Sequence, residues 1–255
     1  MNNTKMIPLI SIITPVYNCQ AYLSDTIKGI LCQTFRNWEL ILIDDCSTDD
    51  SLYIAETYAS TDERIILKKM SVNSGPAVTR NFGIKHARGR YIAFCDSDDI
   101  WLPKKLSNQL NTMNSSNAAV CFSSYYKMLE NGAKTDRIVK ASSYVTYNML
   151  LRSNYIGCST AIYDTAVCGK VYMPDIIKRQ DYGLWLRILS KGHVAIALPE
   201  PLVYYRLRTN SVSSNKIKAA QYHWRVLRDA TDVSFFNACL LFIQYAWIGF
   251  LKRNL

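Results

Sequence analysis

The chain has 255 residues, 49% apolar and 20% charged, enough to bury one large α/β core and too apolar for wholesale disorder. Ten glycines and seven prolines exclude a low-complexity protein, and no repeat of the usual periods is present. The net charge of +10 is uneven: residues 201–255 hold eight basic side chains against two acidic ones, a balance that suits nucleic acid, an anionic membrane surface or an anionic substrate.

Taken in chain order, the N-terminus "MNNTKMIPLISIITPV" faintly echoes a signal peptide. Pro8 interrupts it, no small-x-small cleavage site follows, and β-branched "LISIIT" (9–14) reads as a first buried strand. Leu23, Ile27, Ile30 and Leu31 then form one helix stripe before a second strand, "ELILID" (39–44). The stretch "DDSLYIAETYAS" places Leu52, Ala55 and Ala59 at similar spacing ahead of "RIILK" (64–68). A third helix follows in "SGPAVTRNFGIKHARG", with Pro76 at its first positions and Gly89 past its end, then a fourth strand, "RYIAFC" (90–95). Strand–helix alternation predicts βαβ units and a mostly parallel sheet. Further strands are expected at 118–126 and 194–206 and a short amphipathic helix at 181–191, in an order the pattern leaves open.

The eight cysteines (Cys19, Cys32, Cys46, Cys95, Cys121, Cys158, Cys168 and Cys239) form no CxxC pair and have no His-rich neighbourhood. They read as free thiols in a reducing compartment, on the cytosolic side.

Polar residues gather where strands end, at 14–18, 44–49 and 96–99. Ligands of open α/β sheets bind outside the carboxyl ends of the strands, so one crevice is expected to collect Tyr17, Asp45, Asp96 and Asp98. Asp96, Asp98 and Asp99 put three carboxylates into four positions. In an extended backbone Asp96 and Asp98 share a face, where a hard cation such as Mg²⁺ or Mn²⁺ would neutralise them with help from substrate phosphates. The plainer alternative is that Asp98 or Asp99 caps a helix starting near Pro103. No GxGxxG and no GxxxxGK[ST] occurs, which argues against the usual dinucleotide site and the P-loop. The loop after the first strand, "PVYNCQ", also lacks the glycines of a sugar nucleotidyltransferase.

The stretches "SIITPVYNCQAYLSDTIKGILCQTFRNWELILIDDCSTDDS" and "NSGPAVTRNFGIKHARGRYIAFCDSDDIWLPKKL" resemble family 2 glycosyltransferases, the inverting group with the GT-A fold. The likeness runs from residue 9 to about 110 and resumes at "RQDYGLWLRIL" (179–189) and "YRLRTNSVS" (205–213). It implies an α/β GT-A fold, a mostly parallel mixed sheet flanked by helices, spanning residues 1–215, with a nucleotide-binding half (1–110) and an acceptor half (111–215). The basic and apolar residues 216–255 are expected as a helical, membrane-associating extension.

The resemblance also implies roles. Pro15 and Tyr17 would contact the nucleotide, Asp45 the uracil and Arg80 the nucleotide end of the donor. Asp96 and Asp98 form the DxD pair, the first toward the ribose and the second toward Mn²⁺ or Mg²⁺ on the diphosphate. Asp181 would be the catalytic base, and a helix cap at the same time. Three positions depart from the pattern. Gln180 stands for the usual Glu and removes a charge beside the base. Cys46 stands for a common Gly, expected to be neutral. Arg208 stands where many members place a metal-binding histidine; a guanidinium cannot ligate a cation, so Arg208 would touch the diphosphate and weaken metal dependence.

The segment "VSFFNACLLFIQYAWIGFL" (233–251) is long enough, as a helix, to approach bilayer thickness, yet Ser234, Asn237 and Gln244 draw a polar stripe along it. It is expected to lie on an anionic membrane, span it, or pack on a protein surface. The expected activity is transfer of a sugar, glucose or galactose first and N-acetylhexosamine next, from a UDP-sugar donor to a polyprenyl-diphosphate-linked glycan. Bacterial O-antigen or capsule synthesis is the setting, at the cytoplasmic face of the inner membrane, and homo-oligomers are compatible with it. The rivals are an inactive UDP-sugar-binding scaffold and a nucleic-acid module. For the latter, "QYHWRVLR" (221–228) offers only a hint of stacking aromatics among basic residues, so no nucleic-acid partner is expected.

Overall fold

The computed structural model describes residues 7–176, 178–208 and 216–251, and all their side chains except those of 216–219 and 247–251. The residues of the signal-like start before Ile7, the motif beyond Arg208, and the basic pair Lys252 and Arg253 lie outside the described residues.

The chain runs β1 (Ile10–Val16), α1 (Leu23–Leu31), β2 (Trp38–Asp44), α2 (Ser51–Thr61), β3 (Ile65–Lys69), α3 (Gly75–His86), β4 (Tyr91–Phe94), β5 (Ile100–Trp101) and α4 (Lys105–Ser116). It continues through β6 (Val120–Met128), β7 (Lys134–Val139), β8 (Tyr144–Val145), α5 (Tyr147–Arg152), β9 (Ile162–Asp164), α6 (Thr165–Cys168), α7 (Gln180–Leu189), β10 (Ala195–Arg206), α8 (Lys216–Asp229) and α9 (Phe235–Leu251). One sheet orders the strands β3-β2-β1-β4-β9-β6-β10-β5, with β7 paired to β6 and β8 to β10. The first four are parallel, as the βαβ pattern predicts. β9 then runs antiparallel between β4 and β6, which makes the sheet mixed.

The continuous apolar runs arise because parallel strands are covered on both faces. Ile13, Ile41 and Ile43 point to one core, packed under α3, α5, α7, α8 and α9. Ile12, Leu40 and Leu42 point to the other, under α1, α2 and α4. α3 lies so close to the sheet that a Cβ on Gly83 would stand 2.6 Å from Ile13 Cγ2. Gly89 has a similar reason: a Cβ there would meet the backbone of Ser11 at 2.6 Å, and its N–H donates to Ser11 Oγ (2.8 Å). α8 and α9 belong to the first core, with Val226, Leu227 and Ala238 fully buried. Among the described residues no helix is long and apolar enough to cross a membrane.

Candidate functional site

Register brings the strand ends to one edge. Val16 lies opposite Asp44, and Ile13 opposite Phe94, so Tyr17, Asp45 and Asp96 emerge side by side. The two loops behind them are laced together. Ser47 Oγ accepts from Asn18 N–H (3.2 Å), Ser51 Oγ from Cys19 N–H (2.8 Å), and Asn18 Oδ1 from Thr48 N–H (2.8 Å). Pro15 sits in β1 opposite Ile43, and Tyr17 is half-exposed at the rim, free to meet a planar ligand.

Asp45 is buried, and its two oxygens accept from the N–H groups of Ser74 and Gly75 (2.8 Å each). It therefore holds the head of α3. α3 carries Arg80, also buried, whose Nη2 donates to Asp96 Oδ1 at 2.5 Å. Burial opposes the Arg80 charge, but the Asp96 carboxylate more than compensates and raises its pKa. Arg80 Nε is buried with no partner among the described residues.

Asp96 and Asp98 are not on an extended strand, as their spacing suggested. β4 ends at Phe94, and the chain must turn back into β5, antiparallel to β10. The Asp99 N–H closes that turn on the Asp96 carbonyl (3.1 Å). Asp98 does not cap the next helix either: α4 begins at Lys105, with no side-chain cap on it. Burial, then the Asp96 charge, push the Asp98 carboxyl up to about 6, against the pull of Arg208, whose Nη1 lies 3.8 Å from Asp98 Oδ2. Asp99 is fully buried; one oxygen accepts from Arg206 N–H (3.0 Å) and the other has no partner among the described residues.

Excess negative charge and hard oxygen donors suit a divalent cation. Among the described residues no three His, Cys, Asp or Glu groups converge in metal-binding geometry. A cation here would use one or two carboxylates and complete its shell with substrate phosphates and water, the habit of Mg²⁺ and Mn²⁺.

Asp181 lies in the first turn of α7. Burial raises its carboxyl above the ordinary value; the Arg80 charge counters this and Asp96 adds to it. Arg80 thus stands electrostatically between the turn and Asp181.

Three supports were not anticipated. Arg206 braces the carboxylate turn: Nε donates to Asp98 O (2.8 Å), Nη1 to Glu130 O (3.0 Å), and the guanidinium covers the Tyr22 ring at 4.7 Å. Its position two residues before Arg208 in a strand-like stretch was a usable signal, since i and i+2 share a face. Ser159 Oγ accepts the Asp96 N–H (3.0 Å), and Tyr22 also underlies Arg208 at 5.4 Å; neither left a mark in the pattern. Cys46, expected to be neutral, has φ +62°, the left-handed conformation that explains the common Gly.

Residues 11–171 match Glycosyl transferase family 2. TuaG of Bacillus subtilis (strain 168), named for teichuronic acid biosynthesis, is 42% identical over 99% of this chain and 100% of its own. WfgD of Escherichia coli, named a UDP-Glc:alpha-D-GlcNAc-diphosphoundecaprenol beta-1,3-glucosyltransferase, is 37% identical over 96% of this chain and 95% of its own. Among solved structures, S. aureus TarS 1-349 in complex with UDP-GlcNAc superposes with TM-score 0.69 at 21% identity, over 93% of this chain and 71% of that one, a likeness of fold. A mannosyltransferase of Pyrobaculum calidifontis in complex with GDP-Man and Mn²⁺ gives 0.67 at 18%, over 89% of this chain and 66% of that one. With the expected α/β architecture in place and the family pattern spanning the strand ends that carry the acidic turn, the chain belongs to glycosyl transferase family 2 and is a glycosyltransferase.

Proposed function

We propose that this chain transfers a hexose, glucose first and galactose next, from a UDP-sugar to a hydroxyl of an N-acetylhexosaminyl-diphospho-undecaprenol acceptor, with inversion. The observation that carries the reading is the convergence of Arg80, the Asp96–Asp98 turn and Asp181 at one sheet edge, beside half-exposed Tyr17. The names of WfgD and of a second Escherichia coli relative, WfaP, 36% identical over 96% of this chain, support the donor and acceptor.

In this reading Pro15, Tyr17 and Asp45 receive the nucleotide, while Arg80 and Arg208 face the diphosphate. Asp98, with Asp96, would hold Mn²⁺ or Mg²⁺, which when bound supplies Lewis-acid stabilisation of the charge on the departing UDP. Asp181 accepts the proton of the acceptor hydroxyl as the new C1–O bond forms and the C1–O bond to UDP breaks. The acceptor's lipid places the reaction at a cytosolic membrane face. α9 suits it: Phe235, Phe236, Leu240 and Ile243 are exposed, with basic Arg225 and Arg228 exposed on α8.

The test is a donor screen with purified full chain and synthetic GlcNAc-diphospholipid, reading labelled sugar in the lipid fraction. UDP-glucose should label it, EDTA should abolish labelling and Mn²⁺ or Mg²⁺ should restore it. Labelling from no UDP-sugar would overturn the reading; full activity in excess EDTA would move the diphosphate contact to Arg80 and Arg208 alone.

A further inference from the structure

Arg179 immediately precedes α7 and adopts φ +63°, ψ +27°, a left-handed backbone that a non-glycine residue takes only when its surroundings impose it. Its side chain makes no capping bond to α7. The guanidinium instead reaches into α8 and α9. Nη1 lies 3.5 Å from His223 Nδ1, and Nη2 donates to the Tyr245 hydroxyl at 3.1 Å. The His223 ring is sandwiched between two tyrosines, Tyr245 at 3.9 Å and Tyr182 at 5.6 Å between centroids, both nearly parallel to it. Tyr182 is anchored in turn through its hydroxyl to the Leu150 carbonyl. Arg179 and Tyr182 bracket Asp181 in sequence, so one pair of C-terminal rings grips the chain on both sides of that carboxylate.

We propose that His223 and Tyr245 are positioning residues that fix Arg179 in its left-handed conformation and thereby aim Asp181 at the acceptor hydroxyl. The inference rests on the reading of Asp181 as the base.

The chemistry of the rings favours this over mere packing. Arginine only donates, so His223 Nδ1 must present its lone pair and Nε2 carries the hydrogen. Nε2 is buried with no partner among the described residues. Burial, and then the Arg179 charge, pull the His223 pKa down to about 3, which keeps the ring neutral and its lone pair in place. An unpaired buried N–H is unfavourable for folding. A phenyl ring would stack equally well without it, so what histidine adds here is the acceptor for Arg179.

The experiment uses the full chain with His223→Phe and Tyr245→Phe, each of which keeps the stack and removes one acceptor. Expected are a kcat at least tenfold lower, since a shift of about 1 Å at a reacting group can cost about 10²-fold, an unchanged KM for the UDP-sugar, an unchanged UDP affinity, and a His223→Phe melting temperature no lower than wild type. Wild-type kcat in both variants would overturn the proposal. So would parallel loss of kcat, melting temperature and UDP affinity, the pattern of a structural role. Should His223→Phe fail to fold, Tyr245→Phe removes a single hydroxyl and carries the test. In an Asp181→Asn background Tyr245→Phe should cause no further loss; an additional loss there would also overturn it. If Asp181→Asn itself keeps wild-type kcat, the base reading fails; if it is inactive while the ring variants match wild type, the positioning role alone fails.

Discussion

Burial raises the Asp181 carboxyl above its ordinary value, and Arg80 only partly offsets it. As the proposed base Asp181 works deprotonated, so the acid limb of kcat should lie above about 3.9, the ordinary aspartate value. Asp181→Asn should lower kcat by about 10²–10⁴-fold with UDP affinity intact, read by steady-state kinetics beside calorimetric UDP titration. The same burial has a stability sign. An acid whose folded pKa is raised contributes stability at low pH that is lost as pH rises through the folded value. Asp181→Asn should therefore melt higher than wild type at pH 7, and a lower melting temperature would refute burial as the main cause. Lys105 is the mirror case. It is fully buried on Trp101 (3.9 Å), hydrogen-bonded to Gln109 (2.8 Å), and burial pulls it down to about 7. Its stability contribution is present above the unfolded value of about 10.4 and is lost as pH falls toward 7. Lys105→Met should stabilise the fold at pH 7 by about 1–4 kcal/mol in urea titrations, with the gain shrinking toward pH 10. Residue roles of this kind were only partly legible. Asp96, Asp98 and Asp181 announced themselves as carboxylates at strand or helix ends. The left-handed backbone at Cys46 showed only as a departure from the common Gly, and that at Arg179 left no mark, because neither side chain itself favours a positive φ.

At the scale of elements, the first half read cleanly because each parallel strand is buried on both faces and each helix shows one stripe. β7 and β8 escaped notice since β7 is largely exposed and β8 spans two residues, and β9 since its three residues give no period. The carboxylate turn was misread as strand for a related reason. Alternation describes a strand's faces but says nothing about where pairing ends. α9 shows the opposite difficulty, an apolar stretch whose two sides do different things. Ala238 is buried in the core and Tyr245 faces Arg179, while Phe236 and Ile243 are 71% and 63% exposed. Introducing negative charge on the outer side, Phe236→Glu with Ile243→Glu, should abolish sedimentation with anionic vesicles and leave UDP affinity unchanged. Equal sedimentation of variant and wild type would remove α9 from membrane contact.

For the whole molecule, the two cores share one sheet, with Trp38 buried in the first-described strands' α1-side core and Trp185 in the α7-side core. Single-tryptophan variants retaining one or the other should report coincident unfolding in urea, the mark of one cooperative unit. Truncation before Val233 should lower the midpoint for both, because Ala238 and the Trp224–Phe242 contact (5.5 Å) are removed from the α7-side core, which the common sheet couples to the other. Two separated transitions would show that the sheet does not couple its faces. A line of contacts crosses the same sheet edge: Asp45 holds the amides at the head of α3, and α3 carries Arg80 to Asp96. A scanning experiment will therefore misattribute energies along it. Asp45→Ala, made to test the proposed contact with the nucleobase, also frees the helix that sets Arg80, proposed to face the phosphates, and Arg80→Ala leaves Asp96 without that partner. Losses measured one residue at a time will sum to more than the donor's whole binding free energy. Only paired substitutions can tell how much of the grip on the nucleotide belongs to each end.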